Sequence, residues 1–231
     1  MDAPIEPAKN RAYQLLASCE QDLAAGRMTE ADYYTRGDAV ITPAYLAGDN
    51  PRAQSGHSGG EEHWRAARSH ICDAFHKSGT FLDVGCANGY LMESVRRWAA
   101  ESGLDIEPHG LDLSPQLADL ARGRLPAWAG RIHTGNAIDW MPSQRYDFVR
   151  TGLEYVPLRR RGDLMRHLLD HAVAVDGRLV IGSFSEERPD LLVGERLEEQ
   201  ISCWGFVISG RTERPHHEDE RLLYKTVWID A

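Results

Sequence analysis

FLDVGCANGYL, residues 81–91, decides how this chain is read. It runs as a short apolar strand carrying Asp83, passes Gly85, Ala87 and Gly89, and enters a helix-compatible run at Tyr90. Glycines after a strand let the backbone approach a bound group closely, and the free N–H groups of the next helix favour an anion. A dinucleotide fingerprint, G-x-G-x-x-G, needs glycines at 85, 87 and 90. Ala87 is tolerable there, but Tyr90 is not, so a nicotinamide dinucleotide is disfavoured.

Downstream, strand and helix patterns alternate. Strands are predicted over 80–84, 106–111, 131–133, 146–150 and 178–183, and helices over 90–100, 115–124, 164–173 and 189–203. Residues 206–214 and 222–229 then face each other across a polar turn as an antiparallel pair. Repeated βα units imply an open, mostly parallel sheet with helices on both faces. Ligands of such sheets bind beyond the carboxyl ends of the strands at the switch point, where Asp83 to Gly89 falls.

Upstream, residues 8–46 read as two helical pieces, the first with Tyr13, Leu15, Leu16, Cys19 and Leu23 at helical spacing. GDNPRAQSGHSGG, residues 48–60, has alanine as its only apolar type and reads as a loop. Residues 61–76 return to helix, with Ser78-Gly79 as the stop. The predicted division is an N-terminal helical extension with a lid loop over 1–60 and the main domain over 61–231.

Composition narrows the class. The 231 residues are 42% hydrophobic and 26% charged, as in a soluble globular protein. No apolar run has the length of a membrane span, and the start MDAPIEP has neither a basic nor an apolar leader region. Cys19, Cys72, Cys86 and Cys203 lack metal-ligand or disulfide-framework spacing, which fits a reducing cytoplasm and predicts no metal centre. The net charge of −9 argues against a nucleic-acid partner, and the one dense basic run, Arg159-Arg160-Arg161, reads as a solvated loop.

D-x-G-x-[GA]-x-G over 83–89 resembles motif I of the class I, Rossmann-like S-adenosylmethionine-dependent methyltransferases, and three landmarks follow in order. HGLDLSP places Asp112 at the end of the second strand. RIHTGNAIDW lies where the family often has G-D-A, and YDFVRTGLEYV lies at the fourth-strand motif. The resemblance covers roughly residues 61–231. It implies a seven-stranded, mostly parallel doubly wound sheet with one antiparallel strand, and S-adenosyl-L-methionine as cofactor, with S-adenosyl-L-homocysteine as product.

By position, the resemblance assigns Asp83 and the backbone at Gly85, Cys86 and Ala87 to the methionyl ammonium. The carboxylate falls to the helix start at Asn88 and Gly89. Asp112 would accept from both ribose hydroxyls, Leu113 would cover the adenine face, and Asn136 and the Ala137 N–H would meet the adenine edge, with Thr151 at the end of the fourth strand. Asn136 departs from the family's usual aspartate but can still accept from an amino group.

A sulfonium methyl is already activated, so the protein has mainly to align a nucleophile and exclude water. His57 and Glu154 are the candidate catalytic bases, and Arg52, Gln54, Ser55, Trp64 and Tyr155 the candidate acceptor contacts. HHEDE at 216–220 is the remaining ionisable turn, and it reads as solvated rather than metal-binding. TGLEYVP lacks the N-P-P-Y-like motif of nucleic-acid amine methyltransferases, so methylation of an oxygen or nitrogen on a small molecule is expected. An RNA or protein acceptor and a non-catalytic cofactor-binding partner subunit are the alternatives, and the sequence leaves a homodimer open.

Overall fold

The computed structural model describes residues 5–183, 193–216 and 223–231. Two helices open the chain, α1 (Ile5–Ala24) and α2 (Glu30–Leu46). α2 begins on a capping box: the Thr29 hydroxyl accepts from the Asp32 N–H, and the Asp32 carboxylate accepts from the Thr29 N–H. Cys19, Leu23, Met28 and Tyr33 are buried together where the two helices meet.

The helix expected over 61–76 is two pieces, α3 (Glu61–Arg68) and a 3-10 segment over Ser69–Ala74. Ile71 and Ala74, three residues apart, are both fully buried, and the tighter winding puts that spacing on one face. The strands are β1 (Gly79–Val84), β2 (Ile106–Asp112), β3 (Ile132–Thr134), β4 (Tyr146–Thr151), β5 (Val173–Ser183), β6 (Gly210–Pro215) and β7 (Leu223–Asp230). Between them lie α4 (Tyr90–Glu101), α5 (Pro115–Arg124), α6 (Arg161–His171) and α7 (Val193–Cys203).

They form one seven-stranded sheet in the order β3-β2-β1-β4-β5-β7-β6. β7 runs antiparallel to β5 and β6, and every other pair is parallel. Alternate strand residues supply two cores. Leu82, Val149, Leu179 and Ile181 pack with Leu164 and Leu168 of α6 and Leu197 and Ile201 of α7. Phe81, Phe148 and Val180 pack on the other face with Trp64, Phe75, Leu91, Val95 and Trp98.

Three boundaries move. α6 starts at Arg161 and ends at His171, so Val173 belongs to β5, which begins five residues before the expected Arg178. A register shift between Tyr146 and Phe148 and a left-handed Asp176 (φ 60°) absorb that extra length. β6 starts at Gly210 rather than 206, and residues 189–192 of the expected last helix lie outside the described residues.

α4 follows β1 onto one face and α6 follows β4 onto the other, so a crevice opens between these neighbouring strands at their carboxyl ends. α2 crosses that edge. At its start Glu30 pairs with Arg159 (3.0 Å) and Arg160 (2.7 Å), just after β4. At its end Thr42 Oγ1 lies 2.8 Å from Ser114 Oγ, just after β2. Glu20 of α1 accepts the Leu158 N–H at 2.9 Å. Arg159 and Arg160 therefore staple the N-terminal helices to the sheet.

Candidate cofactor and acceptor site

The turn after β1 is built from backbone. Gly85 and Cys86 both donate their N–H groups to the Leu111 carbonyl (2.8 and 3.1 Å), and the Gly89 N–H closes on the Cys86 carbonyl (2.8 Å). Gly85, Ala87 and Gly89 all have positive φ, of 76°, 47° and 76°. Glycine takes that conformation freely, and alanine only under strain. The Cys86 side chain points away from the crevice, into a cluster with Met92, Ala118 and Ile132, so only its backbone remains for a ligand.

Asp83 lies fully inside, with Oδ1 3.3 Å from Nη1 of Arg150 at the end of β4. The same guanidinium nitrogen donates to the Tyr155 hydroxyl at 3.0 Å. The Tyr155 ring covers Gly85 so closely that a Cβ there would come within 2.5 Å of it. Asp83 Oδ2 is buried and has no hydrogen-bond partner. Burial raises the Asp83 pKa to about 6 despite the opposing charge of Arg150. Burial also works against the Arg150 charge, but Tyr155, Asp83 and Glu154 outweigh it and hold that guanidinium protonated.

Asp112, at the end of β2, accepts the Ala87 N–H on Oδ2 (2.7 Å) and the Ser114 N–H on Oδ1 (2.9 Å). Each oxygen keeps a second lone pair for an incoming hydroxyl. Burial raises its pKa to about 6, against those two backbone bonds. Leu113 beside it is exposed. Asn136 Oδ1 accepts the Ile138 N–H at 3.3 Å, and Ala137 is buried in the same turn. Tyr34 of α2 brings its hydroxyl close to Asn136 without reaching a hydrogen-bond partner. Thr151 is fully buried, and its hydroxyl donates to the Gly152 carbonyl, so its side chain is turned away from a ligand.

The loop at 48–60 is folded down on the motif I turn. Asn88 anchors it: its Oδ1 accepts from Ser55 Oγ (2.6 Å) and its Nδ2 donates to the Pro51 carbonyl (2.9 Å). The Asn88 side chain thus ties the loop to the helix start, because the same Oδ1 also accepts the Tyr90 N–H at 3.1 Å. Arg52 donates to the Gly59 carbonyl at 3.2 Å and pairs with Glu61, and Gln54 donates to the Gly48 carbonyl at 3.2 Å. These two acceptor candidates brace the loop and fasten it to its neighbours, Arg52 to α3 and Gln54, through its Oε1, to Asn88.

Two of the expected site residues are buried. His57 is 2% exposed, with Nδ1 3.3 Å from Arg68 Nη1 and its ring against His63 and Trp64. Trp64 is 1% exposed and donates its indole N–H to Ser94 at 2.9 Å. A loop with alanine as its only apolar type needs other rings to fill its underside, and these two supply them. Glu154 is exposed and folded over Gly152, close enough for its charge to act on Arg150. Of the acidic turn, His216 is buried beside Tyr224, and 217–220 lie outside the described residues. Among the described residues no group of three or more His, Cys, Asp or Glu could hold a metal. Nor is any described helix long and apolar enough to cross a membrane.

Arg150, Tyr34 and Thr42 are the site residues that pattern reading passed over. A signal existed for Arg150, because an arginine inside YDFVRT, an otherwise apolar strand, is expensive unless paired. Tyr34 and Thr42 carry none, since only docking of α2 brings them to the crevice.

No family model matches the chain, and no curated protein matches its sequence. Solved structures do match its fold. Burkholderia thailandensis 1,6-didemethyltoxoflavin-N1-methyltransferase, with 1,6-didemethyltoxoflavin and S-adenosylhomocysteine bound, superposes with a TM-score of 0.60 at 15% identity, over 87% of this chain and 90% of that one. An Aquifex aeolicus SAM-dependent methyltransferase gives a TM-score of 0.55 at 12% identity, over 78% and 98%. The strand order, the crevice between β1 and β4 and these superpositions together identify the fold as that of the class I S-adenosylmethionine-dependent methyltransferases.

Proposed function

We propose that the chain binds S-adenosyl-L-methionine in the β1/β4 crevice and transfers its methyl group to an oxygen or nitrogen of a small molecule. The observation that carries this reading is Asp83 Oδ2, a buried carboxylate oxygen with no partner, beside the left-handed glycine turn. Leaving a charged acceptor unpaired is costly, and an ammonium group is the partner that removes the cost. The residues around it fit the rest of the cofactor. The N–H groups at the start of α4 suit the carboxylate, Asp112 the ribose hydroxyls, Leu113 the adenine face, and Asn136 with Ala137 the adenine edge.

Bound there, the sulfonium supplies the activated methyl. It would offer that methyl to the lone pair of an acceptor oxygen or nitrogen, with a base of this chain to take the acceptor's proton where it has one to lose. Glu154 is the exposed carboxylate near Arg150 and the better placed base, since His57 is covered. Tyr155 and the 48–60 loop bound the space where the acceptor lies, and Asn88 ties that loop to cofactor occupancy. A small acceptor is favoured by the 1,6-didemethyltoxoflavin in the Burkholderia enzyme of like fold. The ion pairs that hold Arg159 and Arg160 to Glu30 weigh against RNA. The free cysteines suit a reducing cytoplasm.

The test is incubation with methyl-labelled cofactor and a metabolite extract, followed by mass spectrometry. A small molecule that gains one labelled methyl is the expected result. Tight cofactor binding with no labelled product in any pool would replace the enzyme by a non-catalytic partner subunit.

A further inference from the structure

Four arginines stand at the carboxyl edge beside β4, and three are spent within the fold. Arg150 pairs with Asp83, and Arg159 and Arg160 pair with Glu30. Arg161, the first residue of α6, differs. Its Nε is buried without a hydrogen-bond partner, as are those of Arg150 and Arg160, but among the described residues the rest of its guanidinium makes no hydrogen bond or ion pair either. Burial presses its pKa down, and Glu154, Tyr33 and Glu20 offset that only through space. One oxygen of Glu20 is already committed to the Leu158 N–H.

A half-buried guanidinium holds five N–H donors in a flat fork and needs acceptors to keep its charge at low cost. The matching acceptor is a carboxylate or a phosphate, met by two parallel hydrogen bonds. Glu154 decides between them. Its own negative charge acts on both Arg150 and Arg161, so a second full charge on the ligand would meet repulsion that a single one largely avoids. The location is also specific: Arg161 opens α6 a few residues past TGLEYVP, directly after the Arg159 and Arg160 that pair with Glu30 of α2.

We propose that Arg161 is a substrate-binding residue that holds a carboxylate of the acceptor, which makes the acceptors of this protein small carboxylic acids methylated at another oxygen or nitrogen. This rests on the methyltransferase reading above. The carboxylate orients the molecule, and Tyr155 and Glu154 face the remainder of it.

The test titrates benzoate, with benzamide as its neutral counterpart, into protein saturated with S-adenosylhomocysteine. Benzoate should bind about ten-fold or more tighter than benzamide, as a charge-assisted pair of hydrogen bonds allows. Arg161→Met should abolish that preference while leaving homocysteine-product affinity unchanged, which also reports that the variant is folded. Arg161→Lys should retain part of the preference, and Glu154→Gln should tighten benzoate by removing a neighbouring negative charge. If Arg161→Met does not fold, the last two variants decide. Equal binding of benzoate and benzamide, no binding of either, or an Arg161 variant that keeps the full preference overturns the assignment. Failure of S-adenosylhomocysteine itself to bind defeats the methyltransferase reading and this one with it, whereas product binding without benzoate preference defeats only the role of Arg161.

Discussion

Asp83→Asn separates the cofactor reading from a purely structural role for this carboxylate. In the free protein burial raises the Asp83 pKa from 3.8 to about 6. An ammonium at Oδ2 favours the ionised form, so binding pulls that pKa down and affinity climbs with pH. At pH 5 about one Asp83 in eleven is ionised, so affinity for S-adenosylhomocysteine should be about eleven-fold weaker than at pH 7.5. Asparagine cannot titrate, and it loses a charged hydrogen bond of about 1.5–3 kcal/mol, or roughly 10- to 150-fold in affinity at pH 7.5. Its pH dependence should shrink by the Asp83 share.

Stability follows a different sign. Because the folded pKa lies above 3.8, the contribution of Asp83 is complete below pH 3.8 and is lost as pH rises through about 6. That loss is about 3 kcal/mol at neutral pH. Asparagine removes it but takes the countercharge from the buried Arg150 guanidinium, which keeps the Tyr155 hydroxyl as a neutral acceptor; losing a buried partner outright costs about 3–5 kcal/mol, so the net destabilisation is at most about 2 kcal/mol. Calorimetric titration at pH 5 and 7.5 measures the affinities, with 5′-methylthioadenosine as the control because it lacks the amino-acid group. Equal weakening of both ligands by Asp83→Asn, or a wild-type affinity flat across this pH range, refutes the assignment.

Asp112→Ala should weaken product binding by about 1–3 kcal/mol, because two hydroxyls lose a charged acceptor; unaltered affinity in calorimetry sinks the ribose role. Ser55→Ala removes the 2.6 Å bond from the loop to Asn88, so amide hydrogen exchange across residues 48–60 should quicken in the free protein. Adding product should slow exchange of the wild-type loop, and exchange indifferent to product rules out a lid. Ala87→Gly relieves a non-glycine residue at φ 47° and should raise stability by up to about 1 kcal/mol in denaturant unfolding. A clear loss would mean that the strain is compensated by contacts of the alanine methyl.

Much of the fold was legible because local chemistry and topology agree. Phe81 and Leu82, or Phe148 and Val149, are neighbours that feed opposite cores, so continuous apolar runs announced a sheet covered on both faces. Boundaries failed where the chain bends for reasons beyond its neighbours. Val173 joins β5 only because Tyr146 offers it a pairing partner across the register shift. Ile71 and Ala74 tighten the end of α3 only because the sheet beneath them demands one face.

The site divides the same way. The positions of Asp83, Gly85, Gly89 and Asp112 were readable in the sequence, because a turn of a few residues and strand ends that the apolar pattern locates set them. His57 looked like an accessible loop base, and only the tertiary structure shows it packed under its loop against Arg68 and Trp64. Arg159 and Arg160 looked like a solvated run until Glu30, far away along the chain, claimed both.

The sequence by itself therefore determined the parallel sheet and the glycine turn after β1, since backbone turns and strand periodicity are local physics written within a few residues. Which charges pair beside that crevice was decided only when α2 crossed the sheet edge and Glu30 took Arg159 and Arg160, while Arg150 turned to Asp83. Burial and pairing depend on groups far apart in the chain, and no local pattern records them.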